Sequence, residues 1–233
     1  MNRRAIFRVA VLFLLSVLPG RLSAQYQSPD LKDGKKLVKN IMVLPPAATL
    51  VKSGMKGNEP LVAESRALES GLFSIVKQTL RDKGCNIIQD ELDSSALDQN
   101  PDLKYALADL QTRYDKLQIL IKKKPKDVRT GRFSLGDEVA NFSPGAAADA
   151  LVFVRANGVV QTAGKKAFVV LTGMGVTYNR VALDISVVDS QTGIILYFAK
   201  PGSYGNFVGN PDSMKGSIDK SFSNFRLQYP PKK

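Results

Sequence analysis

The chain has 233 residues, 33 lysines and arginines against 21 acids, a formal net charge of +12, and neither histidine nor tryptophan. Its single cysteine cannot close an internal disulfide, and zinc sites of the usual Cys/His type cannot be built from it. Without histidine there is no Ser-His or Cys-His nucleophile pair and no histidine general base, so catalysis has few routes open to it.

The first 24 residues have the layout of a secretory signal peptide. Arg3, Arg4 and Arg8 form a positive start, Val9 to Leu18 is an apolar run, and Pro19 and Gly20 break it. Small Ser23 and Ala24 place a cut before Gln25. The run is shorter than the roughly 20 residues a spanning helix needs. Because no cysteine follows it, acylation at that point is not expected. Loss of residues 1–24 removes four arginines and no acid, which lowers the net charge to +8 over 209 residues. The address implied is periplasmic or outer-envelope, without a lipid anchor and without a further transmembrane helix.

Residues 25–37 are polar, contain Pro29, Asp30 and Gly34, and read as a flexible leader. The domain is expected over 38–228. Ile41 to Leu44 is a short apolar run that suggests a buried strand, stopped by Pro45 and Pro46. "SGMKGNEP" reads as a loop. Leu68, Leu72, Ile75, Val76 and Leu80 recur at spacings of three and four, one face of a helix, with Gly84 at its stop. "CNIIQD" reads as a second short strand, which makes Cys85 a small buried residue rather than a reactive thiol. A second helix follows from Leu103, Leu107, Leu110, Tyr114, Leu117 and Ile121. Asp102 lies in its first turn, Lys122 to Lys124 in its last, and Pro125 ends it. A short helical piece is expected at "SLGDEVANF", capped by Ser134.

From Ala148 the composition turns to Val, Ile, Leu and aromatics. "ADALVFVRANGVV", "KAFVVLTGMGVTY", "VALDISVVDS" and "GIILYFAK" read as strands in consecutive hairpins. Val181, Leu183, Ile185 and Val187 alternate with Ala182, Asp184, Ser186 and Val188, which predicts one buried and one largely wet face. Met214, Ile218, Phe222 and Phe225 predict a closing helix, and residues 229–233 a tail. The fold class is therefore α/β (α+β): a single mixed sheet with helices packed on it, in the order β-α-β-α-(α)-β-β-β-α.

"KNIMVLPP", "LRDKGCNII", "AADALVFVRANG" and "VALDISVVDSQTGIILYF" together resemble the envelope domains of the CsgG, LpoB and TolB amino-terminal group, and related small exported proteins. That resemblance implies an α/β sandwich similar to an anticodon-binding domain. It also implies that the last motif is a hairpin of the central sheet. Asp189 and Thr192 then serve as structural turn residues bonding to backbone amides, and Gly193 takes a positive φ.

Two basic clusters remain, "GKKLVK" and "KKKPKDVRTGR". In the second, Lys122, Lys123, Lys124, Lys126, Arg129 and Arg132 could bind an anionic polymer or lipid headgroups. The alternative is a solvated helix end followed by exposed loop. No aromatics interleave with them, so nucleic acid is a poor partner. Asp137, Glu138 and Asp149 are the candidate acids, but spacing does not unite them. The reading is a non-catalytic exported module for binding or assembly in the cell envelope, with an envelope protein as partner and no cofactor. The alternatives are a component of an oligomeric secretion channel or pore, and an enzyme. Ala167 to Leu171 is too short for a membrane strand of about 9–11 residues, which weighs against the pore.

Overall fold

The computed structural model describes residues 24–88, 92, 94–172, 179–204, 207–208 and 210–225. The signal-peptide segment up to Ser23, the stretch 173–178 and the tail lie outside the described residues. Strands β1 to β9 are Ala24–Gln27, Asn40–Val43, Ala47–Gly54, Gly57–Pro60, Asn86–Ile87, Ala150–Gln161, Arg180–Asp189, Ile195–Lys200 and Gly202–Tyr204. Helices α1 to α6 are Pro29–Lys32, Val62–Asp82, Ser94–Gln99, Pro101–Lys123, Ala163–Thr172 and Lys215–Ser221. All the strands join one mixed sheet, ordered β1-β8-β7-β6-β2-β5, with β3 and β4 beyond β6 and β9 against β7.

Two apolar layers clothe the sheet. On one face Leu68, Leu72, Val76 and Leu80 of α2 and Ile218 of α6 pack on Ile41, Val43, Val152, Val154, Leu183 and Ile185. On the other, Leu107, Leu110, Tyr114 and Ile121 of α4 pack on Met42, Leu151, Phe153, Val188 and Phe198. Alternation along β2, β6 and β7 distributes side chains between these layers. Period two holds in β7, but the face expected to be wet is covered: Asp184, Ser186 and Val188 are all buried, because α4 lies over them. Only Arg180 and Ala182, beyond that cover, are exposed.

The two long helices form where their stripes place them. α2 closes with Gly84 at φ 85°. There the Gly84 amide donates to Arg81 O at 2.8 Å and the Cys85 amide to Leu80 O at 3.0 Å, the paired bonds of a Schellman end. α4 starts with Asn100 Oδ1 accepting from the Leu103 amide at 3.0 Å and Pro101 in its first turn.

Other expectations also need correction. The prolines at 45 and 46 interrupt the strand without ending it. β2 pairs in parallel with β6 at Val43↔Val152, and β3 resumes at Ala47↔Arg155, so three residues oppose two. This is a bulge, where a strand tolerates proline's missing N–H, and the half-buried Pro45 carbonyl accepts from Gln111 Nε2 of α4 at 3.1 Å. "SGMKGNEP" is accordingly the β3–β4 hairpin rather than a loop. "KAFVVLTGMGVTY" begins as helix α5, not strand. β6 already has β7 on one side and β2 and β3 on the other, so no edge was free to receive it. "SLGDEVANF" holds only a 3-10 turn, Asp137–Asn141, without a side-chain cap, while Ser134 bridges to Ile194. Finally, residues 25–37 are folded. β1 pairs antiparallel with β8, Tyr26 stacks on Phe198 at 6.3 Å, and Ser28 caps α1, whose Leu31 is buried.

Candidate functional site

The hairpin turn is built from the three residues named for it. The Asp189 carboxylate accepts from the Gln191 amide at 2.9 Å and the Thr192 amide at 3.0 Å, and pairs with Lys36 Nζ at 2.6 Å. Burial alone would raise its pKa. Lys36 and the two amides outweigh burial and hold it below the ordinary value. Gly193 has φ 68° and packs against the backbone of Gly136, while Thr192 O accepts from Ser134 Oγ at 2.8 Å. Every partner here belongs to the framework.

The side chains of the basic stretch have different settings. Lys122 turns inward to Asp184 Oδ2 at 3.0 Å. Pro125–Thr130 is a 3-10 helix rather than loop, anchored by buried Val128. It carries Arg129 across the ring of Tyr26, 5.2 Å from the centroid. Lys123, Lys124, Lys126 and Arg132 remain exposed.

Beneath α4 lies a buried polar layer that the sequence did not disclose. Tyr114 stacks on Phe153 at 4.3 Å and its hydroxyl meets Ser186 Oγ at 2.8 Å. Full burial raises the Tyr114 hydroxyl above its ordinary pKa. Asp184 accepts from Gln118 Nε2 at 3.0 Å as well as pairing with Lys122, and its other oxygen, Oδ1, has no hydrogen-bond partner. Buried Arg155 pairs with Asp115 at 2.6 Å and lies over the Tyr114 ring. A buried charge without such a partner would be costly, so this layer sets how α4 sits on the sheet. The candidate acids go to separate partners. Asp149 accepts from the amides of Lys39 and Asn40 at 2.9 and 2.7 Å, and Glu138 reaches Arg113 at 3.4 Å. Among the described residues no group of three or more His, Cys, Asp or Glu could hold a metal ion. Cys85 is buried and its thiol is pushed up to about 12, chiefly by desolvation.

A concave feature lies at the β1 edge, a cleft of about 640 Å³, within the size range of ligand sites. Alternation on β1 sends Tyr26 to the α4 layer and Gln25 and Gln27 to the opposite face. Gln25 Nε2 donates to Lys220 O at 2.6 Å, and its Oε1 accepts from Tyr197 OH at 2.9 Å. Gln27 Nε2 donates to the Asn224 carbonyl. Tyr197, Phe222 and Phe225 form an aromatic cluster that pins this chain end over β8. Pro29 and Lys32 of α1, Asp33 just after it, Arg129 and Asn224 complete the lining. Sequence reading placed Gln25 and Gln27 in a leader. The signal that could have found them is the polar-apolar-polar alternation Gln25-Tyr26-Gln27.

No family model and no curated protein matches the chain. Among solved structures, it is similar to PelC from Paraburkholderia phytofirmans, a dodecamer, at 13% identity over 86% of this chain and 94% of that one, with a TM-score of 0.41. A single-residue PelC variant gives 13% identity over 90% and 100%, with a TM-score of 0.42. Lipoprotein GNA1162 from Neisseria meningitidis gives 13% over 80% and 97%, with a TM-score of 0.34. Among the described residues no helix is long and apolar enough to cross a membrane.

Proposed function

We propose that the chain is a non-catalytic, exported binding or assembly module of the cell envelope, and that its ligand site is the β1-edge cleft. The observation that carries this reading is the make-up of the cleft. Three amide side chains, an ammonium, a guanidinium and one carboxylate surround it. Two of the amides are held in place by bonds to the carbonyls of Lys220 in α6 and of Asn224 just after it. Such a lining recognises a polar ligand by hydrogen bonding and a net positive field. The described groups whose titration is displaced lie outside this cleft: Lys104 is raised by its bond to exposed Asp98, and the others serve the framework. Asp189 sits in the turn, Tyr114 and Cys85 in the core, and Asp219 binds Thr79 across α2 and α6. Perturbed groups gathered in a cleft would have favoured catalysis. The export pattern of residues 1–24 supports the address, and the resemblance to the CsgG, LpoB and TolB group belongs to the same reading.

The test is quantitative capture from an envelope extract with the wild type and a Lys32→Gln, Arg129→Gln variant. The cleft reading expects one enriched component to be lost from the variant while the melting temperature is kept. Equal recovery by both proteins would remove the cleft from the argument. Turnover of an extract component by the purified protein would remove the non-catalytic claim.

A further inference from the structure

We propose that the last two turns of α4 rest on an anionic lipid surface, with Ile119 and Leu120 entering the interface. α4 buries one apolar stripe, Leu107, Leu110, Tyr114, Leu117 and Ile121. Ile119 and Leu120 lie outside that stripe and are 57% and 51% exposed. They are adjacent, and the core makes no use of them. Helical spacing puts Lys116 one turn before both and Lys123 one turn after both, with Lys124 one turn after Leu120. All three lysines are exposed, as is Lys126 in the following 3-10 turn.

The charge around this pair is predominantly positive, with Asp115 one turn before Ile119 and Asp127 next to Lys126 as the bordering acids. Between residues 116 and 126 there are five lysines and no acid. The acids nearest on the same helix are engaged elsewhere, Asp109 by Arg113 at 2.8 Å and Asp115 by Arg155 at 2.6 Å. Lys122 is spent on Asp184, so the positive end of the patch is carried by Lys116, Lys123, Lys124 and Lys126. A helix C-terminus needs one or two cations to balance its dipole, and this one presents more.

The chemistry selects the occupant. A soluble polyanion offers charge alone and gives two exposed aliphatic side chains nothing to bury. A bilayer offers phosphate headgroups above hydrocarbon, so lysines and a central Ile-Leu pair are satisfied together. Lysine suits headgroup phosphates as a compact point charge. The surface lies on α4 and shares no residue with the β1 cleft. Only its setting, an envelope membrane, rests on the proposed export.

The experiment uses the full chain in flotation with vesicles of phosphatidylglycerol and phosphatidylethanolamine, with phosphatidylcholine vesicles and soluble dextran sulfate as the other arms. Residues 1–24 are common to all variants, so the differences between variants are read. Each lysine near an anionic surface contributes about fivefold, so Lys123→Gln, Lys124→Gln, Lys126→Gln should weaken vesicle binding about a hundredfold. Ile119→Ser, Leu120→Ser should weaken it about tenfold and leave dextran sulfate binding unchanged. An Ile119→Cys variant can carry an environment-sensitive dye there, since buried Cys85 has a thiol pushed up to about 12 and resists labelling. Its emission should shift to the blue on phosphatidylglycerol vesicles only. Unchanged vesicle binding by the serine variant, or an unshifted dye, would overturn the proposal and leave a polyanion site. Equal binding by all variants would overturn it outright. Either result leaves the cleft reading to its own test.

Discussion

Replacing Gly193 by alanine tests the hairpin turn with a control inside the same molecule. Gly193 has φ 68°, a region that costs an L-residue about 1–2 kcal/mol. A Cβ added there would stand 2.5 Å from Gly136 O and 2.9 Å from Gly136 N. These are backbone atoms and cannot rotate away. They are held by the Ser134 hydroxyl, which accepts from the Gly136 amide at 2.9 Å, and by the Leu135 amide, which donates to Gly193 O at 2.9 Å. Overpacking of this kind adds about 1–3 kcal/mol. Gly131 has nearly the same backbone, φ 66°, but open space around its Cβ position. Gly131→Ala should therefore cost the conformational part alone, about 1–2 kcal/mol. The gain from a stiffer unfolded chain is common to both variants and cancels. Gly193→Ala should cost about 3 kcal/mol, a fall in Tm of about 6–12 °C for a domain of this size. Urea titration followed by circular dichroism measures both. Equal destabilisation would refute the close approach to Gly136, and a harmless Gly193→Ala would refute the turn geometry itself.

Asp189 and Asp219 both have lowered pKa values, so their contribution is present above the ordinary aspartate value near 3.9 and is lost as pH falls through the lower folded values. Asp189→Asn should flatten the decline of stability below about pH 4, read from urea midpoints across pH. Cys85 should resist a disulfide reagent at pH 8 in the native protein and react fully in denaturant; fast native labelling would contradict its burial. Tyr114→Phe keeps the stack on Phe153 but leaves the buried Ser186 hydroxyl without its partner, at about 1–2 kcal/mol, whereas Tyr114→Ala should cost about 3–5 kcal/mol. Denaturation of the two variants side by side decides whether ring or hydroxyl holds α4 down.

Local chemistry made several parts of this protein legible. The stripes of α2 and α4 recur at helical spacing, and Gly84 marks the end of α2 in bonds between near neighbours. The alternation of β7 and the turn at Asp189 to Gly193 are likewise written within a few residues. Where distant segments compete for one place, the local signal misled. "KAFVVL" has strand-like composition and is helix α5, because β6 is flanked on both sides by strands from elsewhere. Pro45 and Pro46 looked like the end of a strand, yet β3 continues along β6, since pairing with a long central strand can absorb a bulge. Asp184 and Ser186 looked solvent-facing until α4, some seventy positions earlier in the chain, covered them. The cleft is the extreme case. Gln27 and Asn224 are 197 positions apart, and Arg129 comes from neither end. Residue types and short spacings decide which helices and turns can form. Which surfaces meet is decided by burial across the whole sheet, a condition no short stretch of sequence contains.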